Sequence, residues 1–267
     1  MSTLSITLIQ SDLHWEDKAA NLKMFEEKIN AADRKSNVIF LPEMFNTGFS
    51  MRPKVLAEKM DGPSVQWMQK IAKEKKVIIA GSLIIEDDGL YYNRLVWMLP
   101  NGQYGYYDKR HRFGYAGEDQ HFASGSKRMI ASVNGWKINL QVCYDLRFPV
   151  WARQRSEGEY DMLVYVANWP ERRNHAWKTL LQARAIENQA YVVGVNRVGT
   201  DGNDIYYIGN SMIVDPLGEV IYEKAHEEDV HTHTITKELL DEVRSKFPFW
   251  KDADEFRILN PIEEKVE

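Results

Sequence analysis

The sequence contains one cysteine, Cys143, within LQVCYDLRFP at residues 140–149. An apolar run leads into it, and a charged stretch closed by Pro149 follows. A free cysteine taken alone behaves as a small buried hydrophobe, and a glutamate or lysine taken alone is ordinarily a solvated charge. Glu43, Lys109 and Cys143 nevertheless share a placement: each sits at or just beyond the end of a strand expected inside a sheet, where α/β proteins bind ligands. Together they supply what a thiol needs to attack an amide or nitrile carbon. A base must take its proton, and an electropositive group must hold the charge that develops on the substrate. Glu43 suits the first task and Lys109 the second. The backbone N–H of Tyr144, where the chain turns from strand toward helix, is a second candidate donor to that charge.

Other chemistries lack their residues. Seven histidines are present, but there is no H-E-x-x-H and no Cys/His cluster, and His231 and His233, on one face of a strand, read as a solvated edge. G-x-G-x-x-G, Walker A and G-x-S-x-G patterns are absent, so neither a nucleotide cofactor nor a serine hydrolase elbow is expected. No metal or cofactor is predicted. The net charge of −5 is spread over scattered residues, which argues against nucleic acid and anionic membrane as partners. The longest apolar runs, such as VIIA at 77–80, are too short to span a bilayer, and MSTLSITLIQSDLHWED does not read as a signal peptide. A lone cysteine forms no internal disulfide and favours a reducing compartment, so the cytoplasm is expected.

The elements that must position the trio follow from hydrophobic period. Residues 4–10 alternate as a strand, 16–35 carry Leu22, Phe25, Ile29 and Ala32 at helical spacing, and NVIFLPEMF at 37–45 reads as a buried strand. A helix starts near Asp61-Gly-Pro-Ser64 and runs to Lys75, after which VIIAGSLIIE returns as a strand. This β-α-β alternation predicts an α/β fold. Asn101-Gly102 marks a hairpin, so that part of the sheet is expected to be antiparallel, with Lys109 just after its second strand. WKINLQVCYD, DMLVYVANW and AYVVGVNRVG read as inner strands, with helices over 149–157 and 172–190 between them. A hairpin about Asp215-Pro-Leu-Gly218, a helix over 237–246 and an irregular tail from roughly 248 to 267 complete the chain. No linker or composition shift divides residues 1–267, so one domain is expected. VIFLPEMF and LVYVANWP each run into a polar residue flanked by proline, which hints at two similarly built halves.

FLPEMF (40–45), YDKRHRF (107–113) and CYDLRFP (143–149) resemble, in order and spacing, the three signature segments of the nitrilase, or carbon–nitrogen hydrolase, superfamily. ANWP, LLQARAIENQAYVVGVNRVG and GNSMIVDPLGEV extend the resemblance over almost the whole chain. It implies a four-layer α-β-β-α sandwich with mixed sheets and a catalytic Glu43, Lys109 and Cys143. A second glutamate that positions substrate and assists proton movement falls on Glu118, in GYAGEDQHFASG. Subunits of the superfamily pair through helices beside the nucleophile, which implies a homodimer.

CYDLRFPVWAR and NWPERRNHAWKTLLQARAIENQAY are most similar to omega-amidases, which act on 2-oxoglutaramate and 2-oxosuccinamate. True nitrilases usually carry Trp directly after the nucleophile, where this chain has Tyr144. The distal carboxylate of such a substrate needs a cation, for which Arg147 and Arg173 are the candidates. Phe45, Tyr115 and Trp169 are expected to wall the pocket. Rival readings are a deaminated-glutathione amidase, an N-carbamoyl amino acid hydrolase, or an interaction or sensor module that keeps the fold without turnover.

Overall fold

A computed structural model describes residues 2–32, 36–154 and 158–259. Strand β1 (Thr3–Gln10) leads to α1 (Lys18–Ala31), which starts at Asp17, whose side chain caps the Ala20 N–H. Strand β2 (Val38–Phe40) follows, then α2 (Pro53–Leu56) and α3 (Pro63–Lys75), each opened by a proline that suits a first helical turn. Strands β3 (Ile78–Asp87), β4 (Leu90–Met98) and β5 (Tyr104–Asp108) form an antiparallel meander. The turn between the last two holds Asn101 and Gly102, the glycine at φ +85°, a conformation that L side chains resist. The one-turn helix α4 (Glu118–His121) precedes the hairpin β6 (Met129–Val133) and β7 (Trp136–Val142). After α5 (Pro149–Ala152) come β8 (Met162–Val166), α6 (Asn174–Asn188) and β9 (Tyr191–Val195). The chain then runs through β10 (Val198–Thr200), β11 (Tyr206–Val214), β12 (Val220–Ala225), β13 (Asp229–Thr236) and α7 (Lys237–Lys246).

Two mixed sheets result. The first has the order β13-β1-β2-β3-β4-β5, and the second β10-β11-β9-β8-β7-β6 with β12 added on β11. Strand period sorts the side chains into layers. Val38 and Phe40 of β2, Ile78 and Ala80 of β3, and Leu95 and Trp97 of β4 face the second sheet in one core with Ile138, Leu140 and Val142. Their alternates Ile39, Ile79, Val96 and Met98 pack with Phe25 and Ile29 of α1 and Met68 and Ile71 of α3. Helix α6 covers the far face of the second sheet, where Trp177 and Leu181 press on Gly194 of β9. The architecture is the expected α-β-β-α sandwich. Among the described residues no helix is long and apolar enough to cross a membrane.

Four local expectations need correction. The strand expected over 37–45 ends at Phe40, and beyond it Met44 takes φ +43° and breaks the alternation. The chain still follows β3, with Leu41 N–H donating to Ala80 O (2.7 Å) and Met44 N–H to Ser82 Oγ (2.8 Å). The helix expected over 149–157 is one turn long, closed when Arg153 N–H bonds Pro149 O, and 155–157 lie outside the described residues. Helix α1 ends at Ala31, and the rest of the span expected to reach 35 includes 33–35, also outside them. Lys109 follows β5, which is the edge of its sheet and not an interior strand. In the expected tail, a 3-10 turn spans Phe249–Asp252, and 260–267 lie outside the described residues.

A Cβ at position 194 would approach Leu181 Cδ1 and Trp177 Cζ2 to 2.6 Å each. Gly194→Ala is therefore expected to lower the unfolding free energy by about 1–3 kcal/mol through overpacking, read from the urea midpoint.

Candidate active site

Strand β7 ends at Val142, and Cys143 opens a 3-10 turn that runs to Arg147. Cys143 sits at φ +44°, a left-handed conformation that costs a non-glycine residue roughly 1–2 kcal/mol. Asp145 stabilises the turn. Its Oδ2 accepts from Val142 N–H (3.0 Å) and Tyr107 Oη (2.8 Å), while Oδ1 accepts from His111 N–H (2.9 Å) and pairs with His111 Nδ1 (2.8 Å). One buried carboxylate thus ties the Cys143 turn to the segment on either side of Lys109. The His111 ring also stacks on Phe148 at a centroid distance of 3.8 Å.

Glu43, Lys109 and Glu118 meet in a fully buried group. Lys109 Nζ lies 2.9 Å from Glu43 Oε1 and 3.0 and 2.8 Å from the two oxygens of Glu118. Burial opposes the lysine charge, but Glu118 and Glu43 outweigh it, so the pKa of Lys109 stands above its ordinary value. Burial pushes Glu118 above the usual carboxylate range, with Lys109 opposing and Glu43 reinforcing the rise. The Cys143 thiol, 8% exposed, is held well above its ordinary value by burial first and then by the charge of Glu43, against the pull of Lys109. At neutral pH the resting group is a thiol beside a buried acid–lysine–acid cluster. Such a thiol becomes a nucleophile only as its proton leaves.

Two residues without an assigned role complete the cluster. Asn93, on β4, donates its side-chain amide to Glu43 Oε1 (2.7 Å) and to Glu118 Oε1 (3.2 Å). Asn168, just past β8, gives its backbone N–H to Glu43 Oε2 (2.9 Å) and its side-chain amide to Glu43 O (2.6 Å). Cys143 Sγ lies 3.9 Å from Asn168 O. The polar residues that end VIFLPEMF and LVYVANWP, Glu43 and Asn168, are therefore hydrogen-bonded to each other. The signal for Asn93 was a polar residue inside the apolar strand YYNRLVWM, since a buried amide needs partners.

The residues expected to line a pocket separate into two groups. Tyr144 packs edge-on against Phe113 and Phe148. Trp169 is buried, donates Nε1–H to Arg173 O (2.8 Å), and lies 5.0 Å beneath the Arg147 guanidinium. The Arg173 guanidinium is 4.8 Å from the Phe113 ring, and burial, then the charge of Arg172, lowers its pKa. Neither Arg147 nor Arg173 has an ion pair among the described residues. Phe45 does not face this region. Because Met44 interrupts the strand, Phe45 turns into the helix layer between Phe25 and Trp67, at ring distances of 5.6 and 5.9 Å. Tyr115 is 81% exposed, tilted over Phe113, and walls nothing. Among the described residues no group of three or more His, Cys, Asp or Glu could hold a metal ion.

A family profile described as carbon-nitrogen hydrolase matches residues 5–245, a span that contains every residue of this cluster. The chain belongs to the carbon–nitrogen hydrolase family. The omega-amidase YafV of Escherichia coli (strain K12) is 44% identical to this hydrolase over 259 residues, covering 97% of this chain and 100% of that protein. A 2-oxoglutaramate amidase of Bacillus subtilis (strain 168) is 33% identical over 251 residues, covering 93% of this chain and 96% of that protein. Among solved structures, XC1258 from Xanthomonas campestris, a CN-hydrolase superfamily protein with an arsenic adduct in its active site, aligns with a TM-score of 0.94 at 42% identity. That match covers 97% of this chain and 100% of the other. This hydrolase acts on carbon–nitrogen bonds other than peptide bonds.

Lys109→Ala in the hydrolase would leave Glu43 and Glu118 buried without their cation, a loss of about 3–5 kcal/mol at neutral pH. Glu118 already stands above the carboxylate range, and removing Lys109 removes what holds it down. A carboxyl whose folded pKa exceeds its unfolded value stabilises the fold at low pH and loses that contribution as pH rises. Urea unfolding should therefore show a larger deficit for the variant at about pH 8 than at about pH 5.

Proposed function

We propose that this enzyme hydrolyses the terminal amide of a small 2-oxo acid, 2-oxoglutaramate or 2-oxosuccinamate, to the carboxylate and ammonia through a Cys143 thioester. The observation that carries the reading is Asn168, which holds Glu43 of the buried acid–lysine pair on one side and lies 3.9 Å from Cys143 Sγ on the other, while Arg147 over Trp169 and Arg173 over Phe113 have no acid partner among the described residues. Similarity to an omega-amidase at 44% identity and to a 2-oxoglutaramate amidase supports the substrate class.

In this reading Glu43 is the general base. The resting thiol is protonated, so the S–H proton passes to the Glu43 carboxylate as Sγ bonds the amide carbon. The electron pair of the carbonyl moves onto oxygen, where Lys109 and the Tyr144 N–H receive it. All three Nζ hydrogens of Lys109 face carboxylate oxygens at rest. One of the two directed at Glu118 turns to the oxyanion while the other keeps Glu118 in place. Collapse of the tetrahedral intermediate breaks the C–N bond, and Glu43 returns its proton to the departing ammonia. A water then attacks the thioester, Glu43 takes its proton, and collapse restores the acid product and the thiol. Glu118 holds Lys109 and the edge of the substrate site, and Tyr144 and Trp169 border the substrate. A guanidinium receives the distal carboxylate in bidentate fashion. Arg173 is the better placed of the two, because it lies over Phe113, whose backbone N–H bonds Glu118.

The chain 1–267 acts as one catalytic domain with a C-terminal tail from roughly 248, in the reducing cytoplasm, as a homodimer. Exposed Val150 on α5 and Ile186 on α6, beside the nucleophile turn, favour that pairing face.

Ammonia release is measured from 2-oxoglutaramate beside glutamine, a simple nitrile, an N-carbamoyl amino acid and deaminated glutathione. Release from the oxo-acid amide that disappears in Cys143→Ala is the expected result. Turnover of a different panel member alone would discard the substrate and leave the thiol chemistry, and undiminished activity in Cys143→Ala would remove the mechanism. Replacing Arg173 by Met removes a charge-assisted contact worth about 1.5–3 kcal/mol, so kcat/KM should fall about 10- to 100-fold, mainly through KM. Arg147→Met is the parallel control, and the larger KM effect identifies the carboxylate's partner.

A further inference from the structure

An ionised carboxylate offers two acceptor sites on each oxygen. On Glu118, Oε1 accepts from Lys109 Nζ (3.0 Å) and Asn93 Nδ2 (3.2 Å), and Oε2 from Lys109 Nζ (2.8 Å) and Phe113 N–H (2.5 Å). On Glu43, Oε1 accepts from Lys109 Nζ (2.9 Å) and Asn93 Nδ2 (2.7 Å). Glu43 Oε2 accepts only from the Asn168 N–H (2.9 Å) among the described residues. Among the described residues the two carboxylates therefore have a single acceptor site without a donor, and it lies on Glu43 Oε2. Asn168 also places its carbonyl 3.9 Å from Cys143 Sγ, so this oxygen and the thiol flank the same residue.

We propose that Asn93 is a positioning residue for the reaction. By occupying the second acceptor site of Oε1 on both carboxylates, it makes Oε2 of Glu43 the atom that takes the thiol proton and returns it to the leaving group. Its own geometry fits this use. Asn93 is buried in the middle of β4, its backbone carbonyl accepts the Lys109 N–H (3.0 Å), and its Oδ1 has no partner. An unsatisfied buried carbonyl is destabilising. The amide keeps this orientation because both of its hydrogens are needed between two carboxylates that would otherwise repel.

The inference rests on the roles given to Cys143 and Glu43 above, so Glu43→Gln and Cys143→Ala are assayed beside it on the amide that the panel identifies. Asn93→Ala removes both donors, while Asn93→Ser keeps a hydroxyl. Lys109 remains as counter-ion in each, and thermal unfolding checks the fold. Asn93→Ala is expected to lower kcat at least 30-fold with KM within threefold. It should also move the acid limb of the kcat profile to higher pH, because a carboxylate stripped of a donor holds its proton more tightly. Asn93→Ser should recover part of both. A kcat within threefold of wild type, or a lower kcat with an unmoved limb, overturns the proposal, and if Asn93→Ala does not fold, Asn93→Ser decides by the same criteria. Activity retained in Glu43→Gln would instead overturn the catalytic reading beneath it.

Discussion

The ammonium of Lys109, buried between the carboxylates of Glu43 and Glu118, is the interaction on which the rest of this active site depends. Removing three charges from water costs several kcal/mol each, and only close pairing and complete hydrogen bonding offset it. The offset is visible in the donors assembled around the acids: Lys109, Asn93, the Asn168 N–H and the Phe113 N–H. Burial, and then the charge of Glu43 against the pull of Lys109, keeps the thiol beside the cluster protonated. In the proposed reaction, thiolate activation by a standing positive charge is thus replaced by proton transfer during attack.

A charge cluster of this kind requires rigid walls. Each sheet supplies one side: β2, β4 and β5 carry or lead to Glu43, Asn93 and Lys109, while β7 and β8 lead to Cys143 and Asn168. The apolar layer between the sheets fixes their separation, since packed interiors tolerate little change of volume. Across the open end of that layer, Asp145 locks the Cys143 turn to the lysine segment with bonds to both. Strain at Cys143 and Met44, the two left-handed residues next to the chemistry, is sustained by these surroundings.

The order of elements was legible in the sequence because strand and helix periods are local. The strand over residues 4–10, the Asn101-Gly102 turn and the helix at α6 all appear. Element ends were less legible. No local period announces that Met44 turns left-handed, yet that one dihedral breaks the alternation and sends Phe45 into the helix layer instead of the pocket. The edge position of β5 was equally hidden, because strand order depends on pairings between distant segments.

By itself the sequence determined which groups can do chemistry and that they fall at strand ends: one thiol, Glu43 and Lys109, with Glu118 added by family resemblance. It could do so because residue type and strand period are properties of a few neighbouring positions. Only the tertiary structure decided who holds whom. Asn93 reaches Glu43 across 50 residues of chain and Asn168 reaches it across 125, and those bonds exist because sheet order and the packing between sheets bring remote backbone together. The lack of acid partners for Arg147 and Arg173 among the described residues, the exposure of Tyr115 and the filling of all but one of the acceptor sites on Glu43 and Glu118 follow from the same cause. Hydrogen-bond partners are chosen in three dimensions, after the local rules have been satisfied.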